Sequence, residues 1–161
     1  MDNLNEYTPF SDVYASFLSK VTDDMYMEMT LEDTYKILKD LLIAALPKFE
    51  FPRIVLDYDL VKDPEDPEDE GQWMFLNQLT QEEINILSSY MIVEWIGQQL
   101  ASVENVRMKY SGSDFKFTSQ ANHMQKLLQL KKDYEREGFH LQRLYKRRKK
   151  DDNGIYRSTF G

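Results

Sequence analysis

Phe10, Val13, Tyr14, Phe17, Leu18 and Val21 recur three and four residues apart, the repeat of a single apolar stripe on a helix. Thr8 suits the cap of that helix and Pro9 its first position, where the missing N–H has no intrahelical partner. Residues 22–29 alternate Met25, Met27 and Met29 with Tyr26 and Glu28, a pattern open to a short strand or to a connector. Thr30 starts a second helix: with Asp33 it makes a near capping box, and Glu32 and Asp33 suit the positive helix end. Its apolar face is Leu31, Tyr35, Leu38, Leu41, Leu42, Ala45 and Leu46, and Pro47 ends it. Phe49, Phe51 and Ile54-Val55-Leu56 then read as extended chain, confined by Pro52 to an edge or a non-strand extension.

Trp73 to Leu76 resumes apolar structure as a strand or short extended piece. Thr80-Gln81-Glu82-Glu83 is a capping box that opens a helix at Gln81. Ile84, Leu87, Met91, Ile92, Trp95, Ile96 and Val103 give it a buried stripe over about six turns, and this helix is expected to form the core. Residues 106–117 alternate around Ser111-Gly112-Ser113, which fits a small hairpin or an ordered loop. From 119 to 150 the only helix breaker is Gly138. Leu127, Leu130, Tyr134, Leu141 and Leu144 keep a heptad-like spacing there, with Glu137 in one apolar slot. Thirty residues of helix extend roughly 45 Å, and the surface beyond Leu130 is mostly polar. A long helix with so thin a seam needs something to lie against, which favours an oligomer.

These elements predict a mainly α protein. One domain spans 1–150, a bundle of three to four main helices with a long C-terminal helix at 119–150, an acidic loop at 57–72 and a small β-hairpin. An extended tail follows at 151–161. The length of 161 residues and the hydrophobic share of 42% suit one such domain and exclude a largely disordered chain. With no cysteine there is no disulfide, thiolate ligand or Cys nucleophile. The longest apolar run, Leu41 to Leu46, is too short to span a bilayer, so the expectation is a soluble intracellular or particle-bound protein without a membrane partner.

Charge is strongly polarised. Residues 1–105 carry 22 Asp and Glu against 6 Lys and Arg, a balance of −16, whereas residues 106–161 carry 6 against 14, a balance of +8. Such segregation suits an internally complementary fold or two copies packed acidic face to basic face; the other reading is a basic end that binds an external polyanion. The acidic extreme is Asp57 to Glu70, with eight acidic residues in fourteen and Pro64 and Pro67 among them. It reads as a long mobile loop, and its spacing does not match a calcium-binding helix–loop–helix, since Lys62 or Pro64 stands where that loop needs Gly.

Catalytic patterns are missing. The chain has no phosphate-cradling Gly-rich loop, no HExxH and no GxSxG. His123 and His140 lie on one predicted helix about 25 Å apart, too far to share a metal. No enzyme activity, cofactor or metal is expected. The partner-contact candidates are the basic run Lys146, Arg147, Arg148, Lys149 and Lys150, and the tail residues Ile155, Tyr156 and Phe160, which could add a strand to a partner sheet.

The Phe17-Leu18-x-Lys20 helix, the run TDDMY at 22–26, the LLxxA helix ending in LPKFEFPR at 46–53, EINILSSYMIVEWI at 83–96 and the block at 110–149 together resemble head–tail connector (adaptor) proteins of tailed bacteriophages. The resemblance covers roughly Tyr14 to Lys150. It implies a virion protein, present in the host cytoplasm during assembly, whose subunits form a twelve-membered ring beneath the portal. Its partners would be further copies of itself, the portal and the next neck or tail component, with DNA passing through the channel without sequence-specific binding. The competing expectation is a nucleic-acid-binding regulator that uses Lys146 to Lys150.

Overall fold

The computed structural model describes residues 6–21, 29–109, 117–150 and 153–158. Four helices, α1 (Phe10–Lys20), α2 (Leu31–Ala45), α3 (Gln81–Lys109) and α4 (Phe117–Arg147), carry most of the chain, as the periodicity predicts. Helix α3 is the hub and packs against the other three. From Ile86 to Val93 every residue of α3 is buried, so in this stretch it is enclosed on all sides rather than along a stripe. Both Thr-initiated helix starts form as expected. The Asp33 N–H donates to Thr30 Oγ1 at 3.2 Å, and at α3 the box closes both ways, Glu83 N–H to Thr80 Oγ1 and Thr80 N–H to Glu83 Oε2.

Three short strands make an antiparallel sheet in the order β1 (Thr8–Pro9), β3 (Gln72–Phe75), β2 (Tyr58–Val61). Tyr58 faces Phe75 and Val61 faces Gln72 across the β2–β3 hairpin. An aromatic cluster fastens its base to the helices: Phe10 packs on Phe75 at 4.7 Å and on Tyr58 at 5.4 Å between ring centroids. The Lys39 ammonium of α2 lies 4.9 Å from the centre of the Trp73 ring.

Several expectations are corrected. Thr8 does not cap α1: its hydroxyl oxygen accepts the buried Leu79 N–H at 2.8 Å, and Pro9 is extended, so α1 starts at Phe10. Leu18, Leu31 and Tyr35, assigned to buried faces, are exposed, because α1 and α2 turn those flanks away from α3. The acidic segment is not loop throughout, since β2 occupies Tyr58–Val61. Its tip is bonded to itself. In each of the tandem runs Asp63-Pro64-Glu65-Asp66 and Asp66-Pro67-Glu68-Asp69 the first Asp carboxylate accepts the N–H two residues on, while its carbonyl accepts the N–H three residues on. Asp69 closes the unit by accepting from Asp63 N–H and from Gly71 N–H.

Residues 106–109, expected as one arm of a hairpin or loop, finish α3, and residue 117 opens α4; the turn signal at 111–113 and the methionine run at 22–28 lie outside the described residues. The seam of α4 is also shifted. Its sheltered positions include Met124, Leu127, Lys131, Tyr134, Gly138, Leu141, Leu144 and Tyr145, whereas Leu130 and Glu137 are exposed. The expected row thus keeps Leu127, Tyr134, Leu141 and Leu144 but takes the wrong flank at Leu130 and Glu137. The Tyr90 ring of α3 lies against Gly138 and fixes that phase.

Candidate partner-binding surface

The basic run does not stand free at a helix end. Helix α4 stops at Arg147, and Arg148–Lys150 form β4, paired antiparallel with β5 (Tyr156–Ser158); Lys149 faces Arg157 and Lys150 faces Tyr156. Gly154 supplies the positive φ of 77° that the turn between them requires. The described part of the tail, Tyr156 included, thus pairs its strand with β4 of its own chain. Ile155 is 58% exposed, and Phe160 lies outside the described residues.

A buried polar cluster holds this end of α4 in place. Tyr145 is buried, and its hydroxyl donates to Glu83 Oε1 at 2.7 Å while accepting Arg53 N–H at 2.7 Å. Burial first, and then the Glu83 carboxylate, push the phenol above its ordinary range. The Arg53 guanidinium stacks 3.9 Å from the ring centre of Tyr145 and donates to the carbonyl oxygens of Tyr145 and Arg148, capping the last turn. One turn back, Gln142 bridges three partners: its Nε2 donates to the Lys48 carbonyl and to Tyr90 Oη, and its Oε1 accepts Glu50 N–H.

The candidate cations are divided by these contacts. Arg148 pairs with Glu82 at 3.3 Å, and the Lys146 ammonium lies 4.6 Å from the centre of the Phe51 ring. Arg147 is exposed beside them. The side chains of Lys149, Lys150 and Tyr156 lie outside the described residues.

A different group of cations faces outward, and the basic-run signal did not find it. Lys132, Arg136 and Arg143 are exposed on α4, with Phe139, 56% exposed, among them. At about 100° per residue they fall within about 60° of arc, on the side opposite the seam with α3. The Arg143 guanidinium lies 5.9 Å from the centre of the Phe139 ring. A helical wheel of α4 would have shown this row, provided the seam was phased correctly.

Among the described residues no group of three His, Asp or Glu side chains could hold a metal ion, and His123 and His140 are both exposed. A cleft of about 410 Å3 between α1 and the start of α3 is lined by Asp12, Ser16, Ser19, Lys20, Gln81 and Asn85 among others. Its ammonium, Lys20, is spent on the protein: it donates to Ser88 Oγ at 2.8 Å and to Ser89 Oγ and the Asn85 carbonyl at 3.4 and 3.5 Å. Burial lowers its affinity for protons, partly offset by the Glu137 charge. Lys20 is a bolt between α1 and α3. No helix among the described residues is long and apolar enough to cross a membrane.

No family model, curated protein or solved structure matches the chain.

Proposed function

We propose that this protein is a structural subunit of a tailed-phage virion, a head–tail connector that builds a ring beneath the portal around the DNA channel and transforms no substrate. The observation that carries the reading is the outer half of the α3–α4 pair. Between Gly97 and Ser102 on α3, and between Ala121 and Glu137 on α4, no described residue is buried. Leu128 and Leu130 are more than 40% exposed in that arm. The described side chains that join the two helices here, Leu100, Leu127 and Tyr134 among them, are partly buried, and packing against another chain would complete the faces left exposed. The attribution to a phage neck rests on the sequence blocks quoted above.

The competing reading, a nucleic-acid regulator using Lys146 to Lys150, is weakened because Lys146 and Arg148 are engaged by Phe51 and Glu82. Native mass spectrometry of the purified protein, alone and with a candidate portal, tests the connector reading. Rings, or a defined complex with the portal, are the expected result; a monomer under both conditions overturns it.

A further inference from the structure

We propose that the exposed row Lys132, Arg136 and Arg143 on α4 docks the acidic β2–β3 tip of a second copy of this chain. The inference rests on the assembly reading above and names the surfaces that would meet. Among the described residues neither Lys132 nor Arg136 has an ion-pair partner, and Arg143 has the Phe139 ring. The acidic neighbours on α4 are already occupied or turned aside: Asp133 accepts from Gln129, and Glu135 pairs with Lys131. The row therefore offers three cations and an aromatic plane with no carboxylate partner among the described residues.

The complement is present on the same chain. Glu65, Glu68 and Glu70 at the hairpin tip are exposed, and among the described residues their carboxylates have no hydrogen-bond or ion-pair partner, while the carboxylates of Asp63, Asp66 and Asp69 are consumed in holding the turns. The base of the hairpin is fixed to α1 and α2 by the aromatic cluster, so the tip is presented by a rigid support. Three free carboxylates on one element and three free cations on another give the charge match that selects a partner and its register. A duplex nucleic acid would meet the same cations but also the −8 net charge of the chain. Because donor and acceptor surfaces differ, the contact is heterologous, and repeating it closes a ring or extends a filament instead of stopping at a two-fold dimer.

Charge reversal tests this. Sedimentation velocity would compare the wild type, a Lys132→Glu/Arg136→Glu variant, a Glu65→Lys/Glu68→Lys variant, and an equal mixture of the two variants, at low and high salt. All four substituted positions are exposed, and circular dichroism melts would check that folding is unchanged. The expected result is wild-type association that weakens with salt, a loss of at least tenfold in either variant alone, and recovery in the mixture, where reversed tip meets reversed row.

Association that both variants retain overturns this interface and leaves the assembly reading intact. A wild type that stays monomeric alone yet joins a portal also overturns the interface only, whereas a monomer in both settings removes the assembly reading as well. Salt-dependent binding of duplex DNA lost in the α4 variant, with no self-association in the wild type, would reassign the row to nucleic acid.

Discussion

Gly138 of α4 and Tyr90 of α3 are in such close contact that a Cβ built on Gly138 would stand 2.9 Å from Cζ of the ring and 3.1 Å from each Cε. Tyr90 is 7% exposed and its hydroxyl is held by Gln142, so the ring has little room to retreat. In an open helix Gly→Ala gains about 1 kcal/mol. Here the gain is outweighed by overpacking, which costs typically 1–3 kcal/mol. Gly138→Ala is expected to lower stability by up to about 2 kcal/mol in urea unfolding, and Tyr90→Leu in the same chain to cost less than the two changes summed.

Tyr145→Phe keeps the ring and removes the only hydroxyl shown donating to Glu83 Oε1, leaving a buried carboxylate oxygen short of a partner. The expected loss is about 1–3 kcal/mol at neutral pH, read by thermal or urea unfolding.

Alkaline pH should destabilise the fold. Burial raises the phenols of Tyr14, Tyr90 and Tyr145 above 10.0, with Asp40 adding to the first and Glu83 to the last. The unfolded chain therefore loses its protons first as pH passes 10. Stability is complete below that point and falls as pH climbs toward the folded-state values. Lys20 acts oppositely, since its lowered value returns stability as pH rises toward 10.5. The Tyr145→Phe variant separates the two: its Tm should fall less steeply with pH than the wild type's above about pH 10.

Arg53 grips the carbonyls of Tyr145 and Arg148 with one planar group, which a lysine cannot reproduce. Arg53→Lys should speed amide hydrogen exchange in β4 and β5 with little change at Phe10–Lys20. Removing residues 155–161 deletes β5 but leaves the Tyr145 cluster, so cooperative unfolding should survive while ring assembly is impaired; a truncation that melts without a transition would show that the hairpin supports the core.

At the acidic tip, the Asp69 carboxyl is held below the usual aspartate range, first by the Asp63 N–H and next by the Gly71 N–H, with Lys62 adding to them. The turn geometry it secures is therefore present above the ordinary value of 3.8 and is lost as pH falls through the lower, folded-state value. A carboxyl carbon titration by NMR should place Asp69 below 3.8.

The helices were legible where a local signal was complete. Thr30 with Asp33, and Thr80 with Glu83, state their own boundaries within four residues, and both threonines cap their helices, the second with the reciprocal bond as well. The phase of α4 was only partly legible, because Leu130 is as apolar as Leu127 and Leu141, and the position that decides between rows is a glycine. What chooses it is Tyr90, 48 positions earlier in the chain. Thr8 misled for a similar reason: its capping preference was real, but Leu79 N–H, brought close by the sheet, competed for the same oxygen. Of the candidate contacts, the basic character of the C-terminal part was visible, whereas its division between Glu82, Phe51 and the outward row depends on contacts that no single window of sequence contains.

Among its described residues, helix α4 is held most firmly toward its C-terminal end and more loosely toward Ala121. Around Gly138 to Tyr145 it is tied to Tyr90, Glu83 and Arg53, in part through its own Gln142, while from Ala121 to Glu137 no described residue is buried. Thermal opening should begin at that loose end and travel inward turn by turn, so that protection against solvent rises steadily along one continuous helix. A neighbouring molecule that covers the loose end would flatten that gradient before it changed the shape of anything else.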